Sequence, residues 1–176
     1  MSMQTHAARW LGAAAIALSI GWSAPARAEV VLRPSVLGGP TFLSGGAYGG
    51  GYATFSAGYN LELEPILVIP ELAASFGGFG GDAKGFGARV MAGLRAGAAL
   101  AVEPSLILRG GYGHASYLGG GSSFGANGGA VQVGTGLDYR VDRDFTVGGE
   151  LIYDAFIAQG TTAHSILLGA TFGFWL

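Results

Sequence analysis

The chain has no cysteine, so neither a disulfide framework nor a thiolate metal site is available to it. Charge is also scarce: 11% of the 176 residues are Asp, Glu, Lys or Arg, against about a quarter in an ordinary soluble enzyme. Lys84 is the single lysine. The formal net charge of −2 leaves no basic surplus for phosphates, which argues against nucleic acid as a partner. There are six prolines, and the 34 glycines follow no three-residue period, which excludes collagen. A mean hydropathy of +0.45 with half the residues apolar excludes a disordered tail. Past residue 28 no stretch stays apolar for the ~18 residues a spanning helix needs. The length suits one domain.

The first 28 residues have a different character. Arg9 precedes an apolar run from Trp10 to Trp22, which is followed by Ser23-Ala24-Pro25-Ala26-Arg27-Ala28. A basic start, a short apolar middle and a small-x-small end (Ala26, Ala28) predict a secretory signal cut before Glu29. The apolar run is too short to cross about 30 Å of hydrocarbon as an anchor. The expected organisation is a signal at 1–28 and one domain at 29–176, the latter with 7 basic and 11 acidic side chains, net −4.

Within that domain the apolar residues alternate. Ala53, Phe55, Ala57, Tyr59, Leu61 and Leu63 share one parity, against Tyr52, Thr54, Ser56, Gly58, Asn60 and Glu62 on the other. Val131, Val133, Leu137 and Tyr139 oppose Gln132, Gly134, Gly136 and Asp138 in the same way. A period of two means strands with one greasy and one polar or small face. Gly58 to Pro65, Gly97 to Pro104 and Gly136 to Arg143 match at a spacing of 39 residues. Each copy reads as a strand, a tight acidic turn (Glu64-Pro65, Glu103-Pro104, Asp142-Arg143-Asp144) and a returning strand. With one strand before (about 30–38) and one after (about 165–175), the count is eight. Glycine-rich loops are expected at the opposite end, at 44–51, 77–85, 118–129 and 157–162.

The charges separate a soluble sandwich from a membrane barrel. In a sandwich the charged parity faces water; in a barrel crossing lipid it faces the lumen. Glu64, Glu103, Asp142, Arg143 and Asp144 are assigned to the tight turns, Asp82 and Lys84 to a loop, and Glu29 to the start. Arg33, Arg89, Arg95, Arg109, Arg140, Glu62, Glu71, Asp138, Glu150 and Asp154 remain on strands, opposite the bulky apolar residues. Glu71 fits only with a bulge at Pro70, because Leu67 and Ile69 share its parity. Five arginines against five acids form an interior that neutralises itself, and arginine's planar fork suits buried carboxylates better than lysine does. The greasy parity carries aromatics for two interfacial girdles. Tyr139, Phe145 and Phe174 are expected at the periplasmic rim, with Tyr112, Tyr153 and Phe55 nearer the outer one. Glycines of the inward parity (Gly58, Gly93, Gly97, Gly111, Gly113, Gly134, Gly136, Gly148) give the arginines room.

With these features the chain resembles the eight-stranded outer-membrane barrels of Gram-negative bacteria, the family of the OmpA transmembrane domain and OmpX. The sharpest element is the end, where Leu168, Phe172, Phe174 and Leu176 alternate up to the last residue. That looks like the C-terminal signal read by the barrel assembly machinery, with leucine where the family usually has phenylalanine. The resemblance implies an all-β, antiparallel up-and-down barrel in the outer membrane, in contact with lipid and with the assembly machinery, and monomeric.

Chemistry has few footholds. His114-Ala115-Ser116, expected near the outer end of the fifth strand, places a base and a nucleophile on one strand face. It is similar to the His-x-Ser of some outer-membrane lipid A deacylases, which also use a nearby glutamate. Here the acid that follows is Asp138, at the periplasmic end. Two polar residues at a loop mouth is the simpler reading. Gly119-Gly120-Gly121 is followed by no Lys-Ser/Thr, so it is no phosphate loop. His114 and His164 have no cysteine partners, and nothing calls for a metal or cofactor. Eight strands enclose a lumen that side chains fill, whereas porins use sixteen or more. The expectation is a non-catalytic structural or surface-interaction protein, with a lipid hydrolase or a narrow channel or lipophile carrier as alternatives.

Overall fold

The computed structural model describes residues 29–176 except 44–45, 64, 82–83, 120–121 and 159–160; the expected signal at 1–28 lies outside the described residues, as do Glu64 and Asp82. Eight strands follow one another: β1 (Glu29–Leu43), β2 (Gly46–Leu63), β3 (Ile66–Gly80), β4 (Lys84–Ala98), β5 (Val102–Gly119), β6 (Ser122–Arg140), β7 (Phe145–Ala158) and β8 (Thr161–Trp175). Each pairs antiparallel with the next, and β8 with β1, so the sheet closes and leaves no edge. Val30 and Leu176 exchange backbone hydrogen bonds of 2.9 and 3.1 Å, which carries the closing seam to the last residue.

The register sets the barrel's shape. Stepping through cross-strand partners from Leu32 leads to Ala57, Leu72, Ala92, Gly110, Val131, Ala155 and His164. The circuit returns to β1 at Phe42, ten residues beyond its start. With ~3.3 Å rise and ~4.8 Å between strands, that stagger tilts the strands about 40°. The shortest strand, β7 with 14 residues, then rises about 35 Å, more than the ~25 Å apolar band of an outer-membrane barrel.

Side chains sort as the alternation predicts. Val131, Val133, Leu137 and Tyr139 face outward, while Gln132 and Asp138 are buried. Leu106 is 70% exposed and Leu168 66%; such large apolar residues cover the outside of all eight strands. An exposed apolar surface of that extent marks contact with lipid rather than water. Phe145 packs on Phe172 and Phe174, with ring centroids 6.4 and 5.3 Å apart, at the end where the chain termini lie. Tyr112 and Tyr153 are exposed nearer the other end. Phe55, expected near the outer rim, is instead the tenth of the 18 residues of β2, close to mid-strand.

The structure corrects four assignments. Among the described residues, the glycine-rich segments other than Gly81 are hydrogen-bonded strand rather than loop, so the barrel wall continues past its apolar band. Gly46–Gly51 pairs with 38–43, and 77–79 pairs with both neighbouring strands, Gly80 with β2 alone. Lys84 accordingly begins β4. There is no bulge at Pro70, since the register of β3 on β4 is continuous from Ile66 to Phe79. Leu67 and Ile69 simply point inward with Glu71, and join Val31 and Trp175 in an apolar plug at the end where the chain termini lie. The middle copy of the 39-residue repeat turns at 99–101, where Ala99 N–H donates to the Pro65 carbonyl at 2.9 Å. Glu103 therefore lies on β5 rather than in a turn, facing inward and 1% exposed.

Candidate functional site

Two regions hold the polar side chains that carry chemistry: the lumen and the outer rim. In the lumen, Arg33 Nη1 donates to Asp138 Oδ2 at 2.7 Å. Arg95, fully buried, binds Glu150, lies 3.8 Å from Asp138 and donates to Ser105 Oγ at 3.1 Å. Arg109 donates through Nε to Glu71 at 2.7 Å and through Nη1 to Gln132 Oε1 at 3.2 Å. Gln132 Nε2 donates in turn to Asp154 at 3.1 Å, and Asp154 pairs with Arg89. Arg89 also donates to the Tyr52 hydroxyl at 3.3 Å, so one polar chain crosses the lumen from Glu71 to Tyr52. Arg140 pairs with Glu103 at 2.6 Å and lies 4.6 Å over the Trp175 ring.

The partners make electrostatic sense of the count. Five arginines meet five carboxylates, with Glu103 in the fifth acidic position; Glu62 lies on β2, and its side chain is outside the described ones. A buried charge without a partner costs several kcal/mol, which is why the interior holds its ions as pairs. Glycine supplies the space. A Cβ on Gly136 would stand 2.9 Å from Arg95 Nη1 and 2.8 Å from Ser105 Oγ, so a side chain there would displace the Arg95 head. Glu103, Gln132, Ser105 and Tyr52 are the network members that the count of strand charges left out. Gln132 and Tyr52 sit on the polar parity, which was the available signal.

At the outer rim, His114 and Ser116 share the outward face of β5. His114 Nδ1–H donates to Asn127 Oδ1 at 2.9 Å across the β5–β6 pair. Ser116 is not bonded to His114; its hydroxyl donates to the Phe86 carbonyl at 3.4 Å. Asp138 is inside, at the other end, bound to Arg33. His164 is held on β8 by a 2.6 Å hydrogen bond between its Nδ1 and the Tyr153 hydroxyl. Leu168, Phe172, Phe174 and Leu176 all point outward along the closing strand.

No family model and no curated protein matches the chain. Solved structures do. Neisserial surface protein A (NspA) superposes with a TM-score of 0.62 at 19% identity, over 85% of this chain and 99% of that one. The outer membrane enzyme PagL gives 0.58 at 16%, over 79% and 97%. Ail, the attachment invasion locus protein of Yersinia pestis, gives 0.55 at 16%, over 85% and 100%, in its complex with the heparin analogue sucrose octasulfate. The fold is that of the small outer-membrane barrels. These small barrels share closure by eight antiparallel strands. They include a surface protein, an enzyme and an attachment protein, so the fold alone assigns no role.

Proposed function

We propose that this protein is an integral outer-membrane barrel with a non-catalytic, structural role in the Gram-negative envelope, exported by the segment 1–28. In this reading it is a monomer, inserted by the barrel assembly machinery through Leu168, Phe172, Phe174 and Leu176. The filled lumen carries the proposal. The plug of Val31, Leu67, Ile69 and Trp175, the cluster of Leu37, Tyr52, Ile107, Ile152 and Leu167, and the ion pairs around them occupy the space a channel would need. The apolar outside supports a lipid setting. In planar bilayers the purified protein is expected to give no discrete conductance steps; regular steps would overturn the closed lumen. Deleting the gene is expected to raise uptake of a fluorescent lipophile into cells, and both the native chain and Ser116→Ala should restore the barrier equally.

A second reading rests on one arrangement. Asn127 holds the His114 ring through Nδ1, with no bond to Nε2 among the described residues, and the ring edge lies over Gly125, 3.4 Å (Cε1) and 3.6 Å (Nε2) from where a Cβ would be. Gly125 is the register partner of Ser116. A serine and a histidine with an orienting asparagine thus stand on one face of the rim, the residue types of a hydrolase acting on outer-leaflet acyl esters, and the Ser116 hydroxyl would have to turn from the Phe86 carbonyl to reach His114. Under this reading Ser116→Ala leaves the barrel folded but abolishes restoration of the barrier, and mass spectra of lipid A differ by one acyl chain between the strains. Identical lipid A in native, deleted and Ser116→Ala strains removes it.

A further inference from the structure

β1 pairs with β2 at every residue from Glu29 to Leu43. Against β8, on its other side, the pairing breaks twice, at Arg33-Pro34 and at Gly39-Pro40. Among the described residues no other strand pair breaks more than once: β2–β3 is interrupted at Pro70, and β5–β6 runs unbroken from Val102 to Gly119. The cause is chemical. Val30 and Leu176 exchange both backbone bonds, and in an antiparallel ladder such pairs recur every second residue. Positions 34 and 40 therefore fall where β1 would donate to the Phe172 and Ile166 carbonyls, and proline has no N–H to give. No side chain can fill the second break, because a Cβ on Gly39 would run into the Ile166 carbonyl oxygen.

Within sheets, proline is confined to edge strands and bulges. This barrel has no edge, so the two prolines mark the strand pair most ready to behave as a pair of edges. The two breaks differ in their surroundings. Pro34 lies between the Val30–Leu176 lock at the base and the laddered stretch Ser35–Gly38. Beyond Pro40, at the end opposite the chain termini, the seam keeps the Phe42–His164 pair and the 2.9 Å bond between the Thr41 and Ser165 hydroxyls. There the wall is leaving its apolar band, so headgroups and water can take up backbone groups that hydrocarbon would not. We propose that this seam is a hinged side opening, at which 39–43 and 163–167 part while the base stays closed. The lumen then changes shape sideways, at headgroup level, with no pore along its axis.

Amide hydrogen exchange of the protein in phospholipid nanodiscs, followed by NMR, tests this with a control built into β8. Alternate amides of that strand bond to opposite neighbours: His164 and Ile166 to β1, Ser165 and Leu167 to β7. The four are consecutive, so water reaches them at nearly one depth. Corrected for intrinsic rates, His164 and Ile166 are expected to exchange about tenfold faster than Ser165 and Leu167, the effect of one absent hydrogen bond. Pro40→Val gives β1 the absent N–H and should slow Ile166 by about the same factor. Thr41→Cys with Ser165→Cys, oxidised to a disulfide across that directly opposed pair, should slow both amides. A Pro40→Val or disulfide protein that folds and still exchanges at native rates overturns the opening. So does equal protection of the four amides in the native protein, an outcome that needs no variant.

Discussion

Replacing Arg95 with Met is expected to cost about 3–5 kcal/mol, the usual penalty for leaving a buried partner charge uncompensated. Arg95 is the most deeply buried cation of the lumen, and it holds Glu150 directly, Asp138 at 3.8 Å and Ser105 at 3.1 Å. Its loss strands carboxylate charge where water does not reach. Adding Glu150→Gln to Arg95→Met is expected to return much of the stability, because the unpaired charge is then gone. Urea unfolding in lipid vesicles, read by the fluorescence of Trp175, the one tryptophan past residue 28, measures both variants. If Arg95→Met unfolds at the native urea concentration, the interior network contributes nothing and the reading of the lumen is wrong.

The second large effect is on the outer face. Leu106→Arg is expected to cost about 2–4 kcal/mol in a bilayer, the penalty for an arginine at mid-depth on a barrel's lipid face. Leu106 is among the most exposed apolar residues, flanked on its own face by Pro104 and Leu108. On a soluble protein the same substitution at a water-facing position would stay within about 0.5 kcal/mol. The size of the effect therefore reports the solvent of that face. The control is Asp142→Arg in the exposed turn 141–144, where the loss of the Asp142 Oδ1 hydrogen bond from Asp144 N–H is expected to cost no more than about 1 kcal/mol.

Much of the architecture was legible in the residue order because lipid and lumen impose opposite chemistries on alternate positions. On β6, Val131 and Val133 against Gln132 and Asp138 already separate outside from inside. Where alternation is silent, the reading failed. Glycine has no side chain to alternate, so Gly46–Gly51 and Gly77–Gly80 read as loop although their backbones pair with a neighbouring strand. Glu103-Pro104 mimics the turn pair Glu64-Pro65 at the same spacing, but the salt bridge to Arg140 draws Glu103 into β5 and moves the turn four residues upstream, to 99–101. Glu71 needed no bulge, because a lumen can bury Leu67 and Ile69 as readily as a carboxylate once Trp175 packs on them. At the rim, the contact between His114 and Asn127 depends on the register of β5 with β6, which the spacing of the motif does not encode.

The most direct measurement of the central account exploits the missing cysteines. Single cysteines at Val131, Val133, Leu137, Ala130 and Asp142, spin-labelled in vesicles, report which reagent each position meets. The account predicts that the outward labels at 131, 133 and 137 collide with oxygen and not with a water-soluble nickel complex. The label at 130 should meet neither, and the label at 142 should meet the nickel complex. Equal access of the nickel complex to 131, 133, 137 and 142 would mean that the apolar face meets water, and would contradict the membrane barrel.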